Sequence, residues 1–222
     1  MFVGHLGVSL AGKKLSTSTS LVWFVVAANF VDLLWPIFLL AGIETVRIAP
    51  GITAFTPLDF VSYPWSHSLL MGVVWGVALG AVARWRGVSR EGAMVTGALV
   101  VSHWVLDFIT HRADLPLWPG AQARYGLGLW NSITWTFIIE SAILIAGIAL
   151  YLSVRRQRGW MGQLALWSFV AVSTVMWATG PFSPPPPDER SMAMFALLGW
   201  IVVPWAWWIE RTSEPRGARS VA

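Results

Sequence analysis

The chain has 222 residues, of which 56% are hydrophobic and only 12% are charged. Soluble domains average about 45–50% apolar and about 25% charged residues. The absence of cysteine excludes a disulfide framework and a cysteine-ligated zinc site. This composition also excludes a disordered chain, and it is typical of a membrane protein rather than a soluble globule.

Six apolar stretches follow one another along the chain, each close to the roughly 20 residues that cross a bilayer core. They lack the alternating pattern of barrel strands, so we predict helices. The predicted spans run roughly over residues 20–42, 65–84, 92–112, 131–154, 162–180 and 192–210, before a polar tail at 211–222. We therefore predict an all-α, polytopic helical membrane protein with a single transmembrane domain, residues 1–222.

The first twelve residues, MFVGHLGVSLAG, are apolar but too short to cross a bilayer at about 1.5 Å per residue. Lys13 and Lys14 follow this stretch rather than precede it, which argues against a signal peptide. We predict a short N-terminal helix that enters the membrane part way or lies at its surface.

The basic residues predict an orientation. If Lys13 and Lys14 are cytoplasmic, six spans put 11 of the 15 Lys and Arg residues on the cytoplasmic side. This bias agrees with the positive-inside rule and places both termini in the cytoplasm. It also accounts for the net positive charge without a nucleic-acid partner, so the expected partner is the lipid bilayer. The four basic residues on the opposite, non-cytoplasmic side are Arg47, Arg112, Arg124 and Arg190.

Ionisable side chains inside predicted spans are costly and by default mark functional sites. The segment SHWVLDFITH spaces His103, Asp107 and His111 four residues apart, which places them on one face of a helix. Imidazole and carboxylate groups suit a divalent metal, foremost Zn²⁺, with Mn²⁺ or Fe²⁺ as alternatives. The competing interpretation is a buried network in which Asp107 pairs with one of the histidines.

Polar residues of other segments are expected at a similar depth. Asp32 lies near the middle of the first predicted span, and His67 opens the second from the outer side. His5 approaches the midplane if the N-terminal helix inserts. Metal sites in helical bundles are built from side chains on facing helices. We therefore predict that these polar side chains meet at one site in the core of the bundle. The candidate metal ligands are His5, Asp32, His67, His103, Asp107 and His111, and the candidate catalytic residues are Asp32, Ser68, Asp107 and Glu140.

The order of these motifs resembles a bacterial family of predicted inner-membrane, metal-dependent hydrolases whose founding members are under LexA control. The resemblance covers roughly the first 130 residues and rests on GHLGVSLAG, ANFVDLLWP, WSHSLLMG, and SHWVLDFITH followed by LPLWPG. By position, the polar signature of the family falls on His5, Asp32, His67, Ser68, His103 and Asp107. The chain departs from the family at Asn29, where a second acid is common, and at YPWSHS, where a basic residue often precedes T-H-S.

The resemblance implies metal-dependent hydrolysis in the bacterial inner membrane. Zn²⁺ would activate a water molecule and polarise a carbonyl or phosphoryl oxygen, with His5, His67 and His103 as ligands. Asp32 or Asp107 would be a fourth ligand or the general base, and the depth of the site favours a lipid or lipid-linked substrate. Two alternatives stay open. The same cluster suits a divalent-metal or proton transporter, or a structural membrane protein with a buried polar network.

Overall fold

The computed structural model describes residues 1–216, and the chain is mostly helical over that range. Short 3₁₀ turns at Leu129–Asn131, Gly180–Phe182 and Leu197–Ile201 connect several of the helices. The helices are α1 (Val3–Leu15), α2 (Leu21–Ala28), α3 (Phe30–Leu40), α4 (Pro64–His67), α5 (Leu69–Trp85), α6 (Arg90–Thr110), α7 (Ile133–Val154), α8 (Gly159–Thr179), α9 (Glu189–Ala196) and α10 (Val202–Arg211).

Three short antiparallel strand pairs add to the predicted all-α architecture. They are β1 (Thr45–Ile48) with β2 (Leu58–Ser62), β3 (Leu115–Pro116) with β4 (Arg124–Tyr125), and β5 (Arg155–Gln157) with β6 (Ser213–Pro215). All six strands lie in the segments between the helices or after the last one. Apolar periodicity in the sequence does not predict structure in such short segments. Part of the predicted polar tail is paired, since β6 pairs with β5 and the Arg155 guanidinium donates to Ser213. Residues 217–222 of that tail lie outside the described residues.

Four helical segments are long and apolar enough to cross a membrane. They overlap the predicted spans at 92–112, 131–154, 162–180 and 192–210. The last joins α9 to α10 through the turn at Leu197–Ile201. The four segments are Arg90–Thr110, Ile133–Val154, Gly159–Phe182 and Glu189–Arg211.

The first two predicted spans are broken helices. At Asn29 the chain bends by 51° between α2 and α3, which are long enough to cross a membrane only as a pair. In the second, α4 ends at His67, and the Ser68 hydroxyl accepts a hydrogen bond from the Met71 backbone N–H to start α5. With its 17 residues, α5 is shorter than each of the four segments that are long enough to cross a membrane. Both breaks fall beside predicted site residues.

The N-terminal helix α1 lies inside the bundle, packed against α2, α6 and α7. Val3 and Leu10 are fully buried. The backbones of α1 and α7 touch at two glycines, since a Cβ atom on Gly147 would lie 2.0 Å from the Gly7 carbonyl oxygen. Small residues at such a crossing let two helices approach closely. The helix is therefore surrounded by protein rather than laid on a surface.

Candidate metal centre

All four histidines of the chain direct Nε2 at one carboxylate, that of Asp107. The Nε2 atoms of His5 and His103 lie 3.0 Å from an Asp107 oxygen. Those of His67 and His111 lie 3.8 Å from it. All five residues are at most 4% exposed. The structure thus brings five of the six predicted metal ligands to one buried point.

Asp32, the sixth predicted ligand, forms the open side of this cluster. Its Oδ1 atom lies 3.2 Å from His67 Nε2 and 3.5 Å from His103 Nε2. Its side chain is 41% exposed. Two overlapping sets, His5 with His103 and Asp107, and Asp32 with His67 and His103, each have ligand atoms within 4.8 Å of one another. A buried His/Asp group that could hold a metal ion is therefore present.

Local structure explains how the groups meet. The regular helix α6 puts His103 and Asp107 one turn apart on the same face. His111 follows the last residue of α6, and its backbone N–H donates to the Asp107 carbonyl at 2.7 Å. The break at Asn29 places Asp32 in the first turn of α3, and the break at Ser68 leaves His67 at the end of α4.

The His103 ring is oriented by the end of α2. Its Nδ1 atom lies 2.8 Å from the carbonyl oxygen of Ala28, the last residue of that helix. A carbonyl only accepts, so Nδ1 carries the proton and a neutral ring presents the Nε2 lone pair to Asp107 and Asp32. Among residues 1–216, Nε2 forms no hydrogen bond despite these short distances. A lone pair that faces two carboxylates fits a cation between them.

The His111 ring is oriented in the same sense. Its Nδ1 atom lies 3.0 Å from Asp114 Oδ1, which also accepts the Tyr63 hydroxyl at 2.6 Å. Burial and the neighbouring Asp114 carboxylate raise the pKa of Tyr63 well above its usual value, so its hydroxyl remains a donor. An ionised carboxylate only accepts. His111 therefore donates from Nδ1, and its neutral ring turns a bare Nε2 towards Asp107.

The structure places two of the predicted catalytic residues at helix starts. Ser68 caps α5 through its contact with Met71. Glu140 accepts hydrogen bonds from the backbone N–H groups of Phe2, at 2.8 Å, and Gly4, at 3.3 Å, and so holds the start of α1. The backbone nitrogen of Met1 contacts Asp107 directly.

Four contributors to the site were not foreseen from the sequence: Glu44, Tyr63, Ser66 and Asp114. Ser66 precedes His67, and Asp114 follows His111 by three residues, so their proximity to a predicted ligand was an available signal. Glu44 lies 23 positions before His67, and its contact depends on the turn that follows α3.

The donor set suits a divalent metal. Imidazole nitrogens and carboxylate oxygens are the ligands expected of zinc, manganese and iron sites. Ligating histidines usually donate their other ring nitrogen to a carbonyl or carboxylate, as His103 and His111 do here. In comparisons with family models, curated proteins and solved structures, nothing matches this chain.

Proposed function

We propose that the protein is a membrane-embedded, metal-dependent hydrolase. The observation that carries the proposal is the convergence of four imidazole Nε2 atoms and two carboxylates on one point with a single open side, at Asp32. At least two of these imidazoles, when neutral, present lone pairs beside the two carboxylates, so the cluster is rich in acceptors. A divalent cation balances such a cluster.

The burial of each group suggests its role. His5, His67, His103 and Asp107 are buried and would hold the metal, with His111 closing the outer end. Asp32 is the exposed acid, so it is the group that can meet a substrate and accept a proton as general base. When bound, Zn²⁺, Mn²⁺ or Fe²⁺ would supply Lewis-acid polarisation of a carbonyl or phosphoryl oxygen and an activated water molecule.

The membrane setting supports a lipid or lipid-linked substrate. The helix that carries Asp32 also exposes the apolar side chains of Ile37 and Leu40 further along its length. We propose six spans in a bacterial inner membrane, with α2–α3 and α4–α5 as the two additional spans. Both termini are then cytoplasmic by the distribution of basic residues.

Packing on the other side of the site favours an enzyme over a transporter. Between His5 and Lys13, the α1 side chains Leu6 and Leu10 are buried against α2, with Leu21 fully buried beside them. A transporter needs access to its site from both sides of the membrane. Within residues 1–216, Asp32 is the one ligand candidate with a substantially exposed side chain, which is the arrangement a hydrolase needs.

Metal content tests the proposal first. We expect the detergent-purified protein to carry zinc, manganese or iron in roughly stoichiometric amount by mass spectrometry. His103→Ala and Asp107→Ala should lose the metal, and the control Asp188→Asn, at an exposed helix cap, should retain it. A folded wild-type protein that stays free of metal after zinc, manganese and iron are supplied would contradict the proposal.

Hydrolysis assays form the second arm. Vesicles of phospholipid and of a lipid-linked phosphate are offered to the metal-loaded protein. We expect Asp32→Asn to lower turnover by about 10²–10⁴-fold, the usual contribution of a general base, while most of the metal is retained. Full turnover by Asp32→Asn would remove Asp32 from the chemistry.

A further inference from the structure

His67 is joined to a buried acid through the hydroxyl of its neighbour. His67 Nδ1 lies 2.6 Å from Ser66 Oγ, and Ser66 Oγ lies 2.6 Å from Glu44 Oε2. Ser66 is fully buried, and Glu44 and His67 are 3% and 4% exposed. The three side chains form a continuous series of short polar contacts from the turn after α3 to the candidate metal centre.

The direction of each hydrogen bond in this chain follows from its chemistry. A carboxylate oxygen accepts, so the Ser66 hydroxyl donates to Glu44 Oε2. The Ser66 oxygen must then accept from His67, which puts the ring proton on Nδ1. A neutral His67 with that proton presents a bare Nε2 towards Asp32, 3.2 Å away.

We infer that Glu44 and Ser66 are positioning residues that fix the tautomer of His67 and so present its Nε2 lone pair as a metal ligand. The inference rests on the proposed function for its metal, but the tautomer itself is a property of the metal-free protein. It gives His67 the same orientation that Ala28 gives His103 and Asp114 gives His111.

A purely structural role explains only half of the Glu44 contacts. Its Oε1 atom accepts the backbone N–H groups of Trp65 and Ser66, both at 2.8 Å, which satisfies the start of α4. That function requires neither Oε2 nor the Ser66 hydroxyl. The second oxygen is used entirely for the contact that leads to His67.

The surroundings hold this chain rigidly. Glu44 immediately precedes β1, whose pairing with β2 fixes the loop between α3 and α4. The rings of Tyr63 and Trp35 pack against the His67 ring, with centroids 5.1 and 6.3 Å away. Hydrogen bonds to the second nitrogen of a ligating histidine, together with such packing, hold the ring in one orientation.

The nearly isosteric change Glu44→Gln keeps the hydrogen bonds between residue 44, Ser66 and His67 but reverses their direction. The glutamine oxygen stays on the Trp65 and Ser66 N–H groups, because the amide NH₂ cannot accept their hydrogen bonds. The NH₂ group then donates to Ser66 Oγ, and the Ser66 hydroxyl donates to His67 Nδ1. We expect the proton of His67 to move to Nε2, which removes the lone pair from the metal site.

The tautomer of the neutral ring is read directly by ¹⁵N NMR of metal-free protein labelled at histidine. A protonated and a bare ring nitrogen differ strongly in ¹⁵N shift, and His67→Gln identifies the signals of His67. We expect Nδ1–H in the wild-type protein and Nε2–H in Glu44→Gln. An unchanged His67 tautomer in Glu44→Gln would overturn the inference.

Zinc affinity, measured by competition with a chelator at fixed pH, gives the second readout. We expect Ser66→Ala and Glu44→Gln to bind Zn²⁺ about 10–100-fold more weakly, as changes next to ligating histidines do. Ser66→Thr keeps the hydroxyl and should bind within about threefold of wild type on the same reasoning. Ser173→Ala, a buried serine of α8, is the matched control.

The outcomes separate this inference from the proposed function. A tautomer change in Glu44→Gln with unchanged zinc affinity would overturn the role of Glu44 and Ser66 in ligand presentation. Failure of Ser66→Thr to restore affinity would also overturn it. If the wild-type protein binds none of zinc, manganese and iron, the proposed function fails, and the NMR measurement still decides whether Glu44 and Ser66 set the tautomer.

Discussion

The imidazole rings of His5 and His103 stack face to face, with centroids 3.6 Å apart and planes inclined by only 8°. Two protonated rings would repel each other strongly at this distance in a buried site. The stack therefore excludes a positive charge on both rings, and a neutral ring in it has a nitrogen available to a metal. Because His5 belongs to α1 and His103 to α6, the contact also requires α1 to lie inside the bundle.

Replacing His5 by phenylalanine separates these two roles. His5→Phe keeps a flat ring in the stack and removes both nitrogens, so we expect the protein to fold and its metal content to fall at least tenfold by loss of a ligand. Mass spectrometry of the metal and thermal unfolding in detergent measure the two effects. Ser9→Ala is the control on the same helix. Undiminished metal in His5→Phe would show that His5 is not a ligand.

The crossing of α1 and α7 gives a prediction on stability. A Cβ atom on Gly147 meets the backbone of Gly7, which cannot move as a flexible side chain would. We expect Gly147→Ala to destabilise the protein by about 1–3 kcal/mol or more, as overpacking does, and to displace His5. The thermal unfolding temperature and the metal content of the variant should both fall.

The matched control for that change is Gly72→Ala in α5, where an added Cβ would have no heavy atom within 4 Å. Alanine is a better helix former than glycine, so this variant should be neutral or more stable by about 0.5–1 kcal/mol. Equal effects of the two substitutions would show that α1 and α7 are not in backbone contact.

Periodicity made the centre of the site predictable. His103, Asp107 and His111 repeat every four residues within one apolar run, and helical geometry alone puts them on one face. The structure continues that face to the end of α6 at Thr110. Asp32 and His67 were identified from the cost of placing charge in a membrane, a rule that needs no knowledge of neighbours.

The rest of the site depends on contacts between distant segments. Glu44 reaches Ser66 only through the turn after α3 and the β1–β2 pairing, which no periodic pattern describes. The rule on intramembrane charge also marked Glu140 as a candidate for catalysis. Its backbone partners lie at the start of α1, and only the packing of that helix against α7 brings them into reach.

Substitutions of Glu140 can therefore distinguish two roles of its side chain, a cap on the start of α1 and a catalytic acid. Glu140→Gln retains an oxygen for the N–H groups of Phe2 and Gly4, and Glu140→Ala leaves both N–H groups without that acceptor. We expect Glu140→Ala to lose about 1–3 kcal/mol of unfolding free energy, the cost of unsatisfied buried groups, and Glu140→Gln to lose much less. Detergent-based thermal unfolding measures both, with the exposed Glu91→Ala as control. Loss of hydrolysis in a stable, metal-loaded Glu140→Gln would instead indicate a catalytic carboxylate.

The other end of α1 is held by a buried lysine. Lys13 is completely buried, and its Nζ atom donates to the carbonyl oxygens of Thr17, at 3.0 Å, and Thr19, at 2.6 Å. It also lies 3.4 Å from Glu210 Oε1, and the second oxygen of Glu210 accepts the Leu21 N–H at the start of α2. Lys13 and Glu210 thus join α1, α2 and α10 at a point remote from the histidines.

This remoteness allows stability to be separated from metal binding. Lys13→Met removes the donor from two carbonyl groups, and we expect a loss of about 1–3 kcal/mol in unfolding free energy. A double-mutant cycle with Glu210→Gln should show a coupling of about 0.5–3 kcal/mol, as for contacting residues elsewhere. The metal content of folded Lys13→Met should equal that of wild type, because His5 is still held by Glu140 at the opposite end of α1. Loss of metal in folded Lys13→Met would mean that both ends of the helix are needed to position His5.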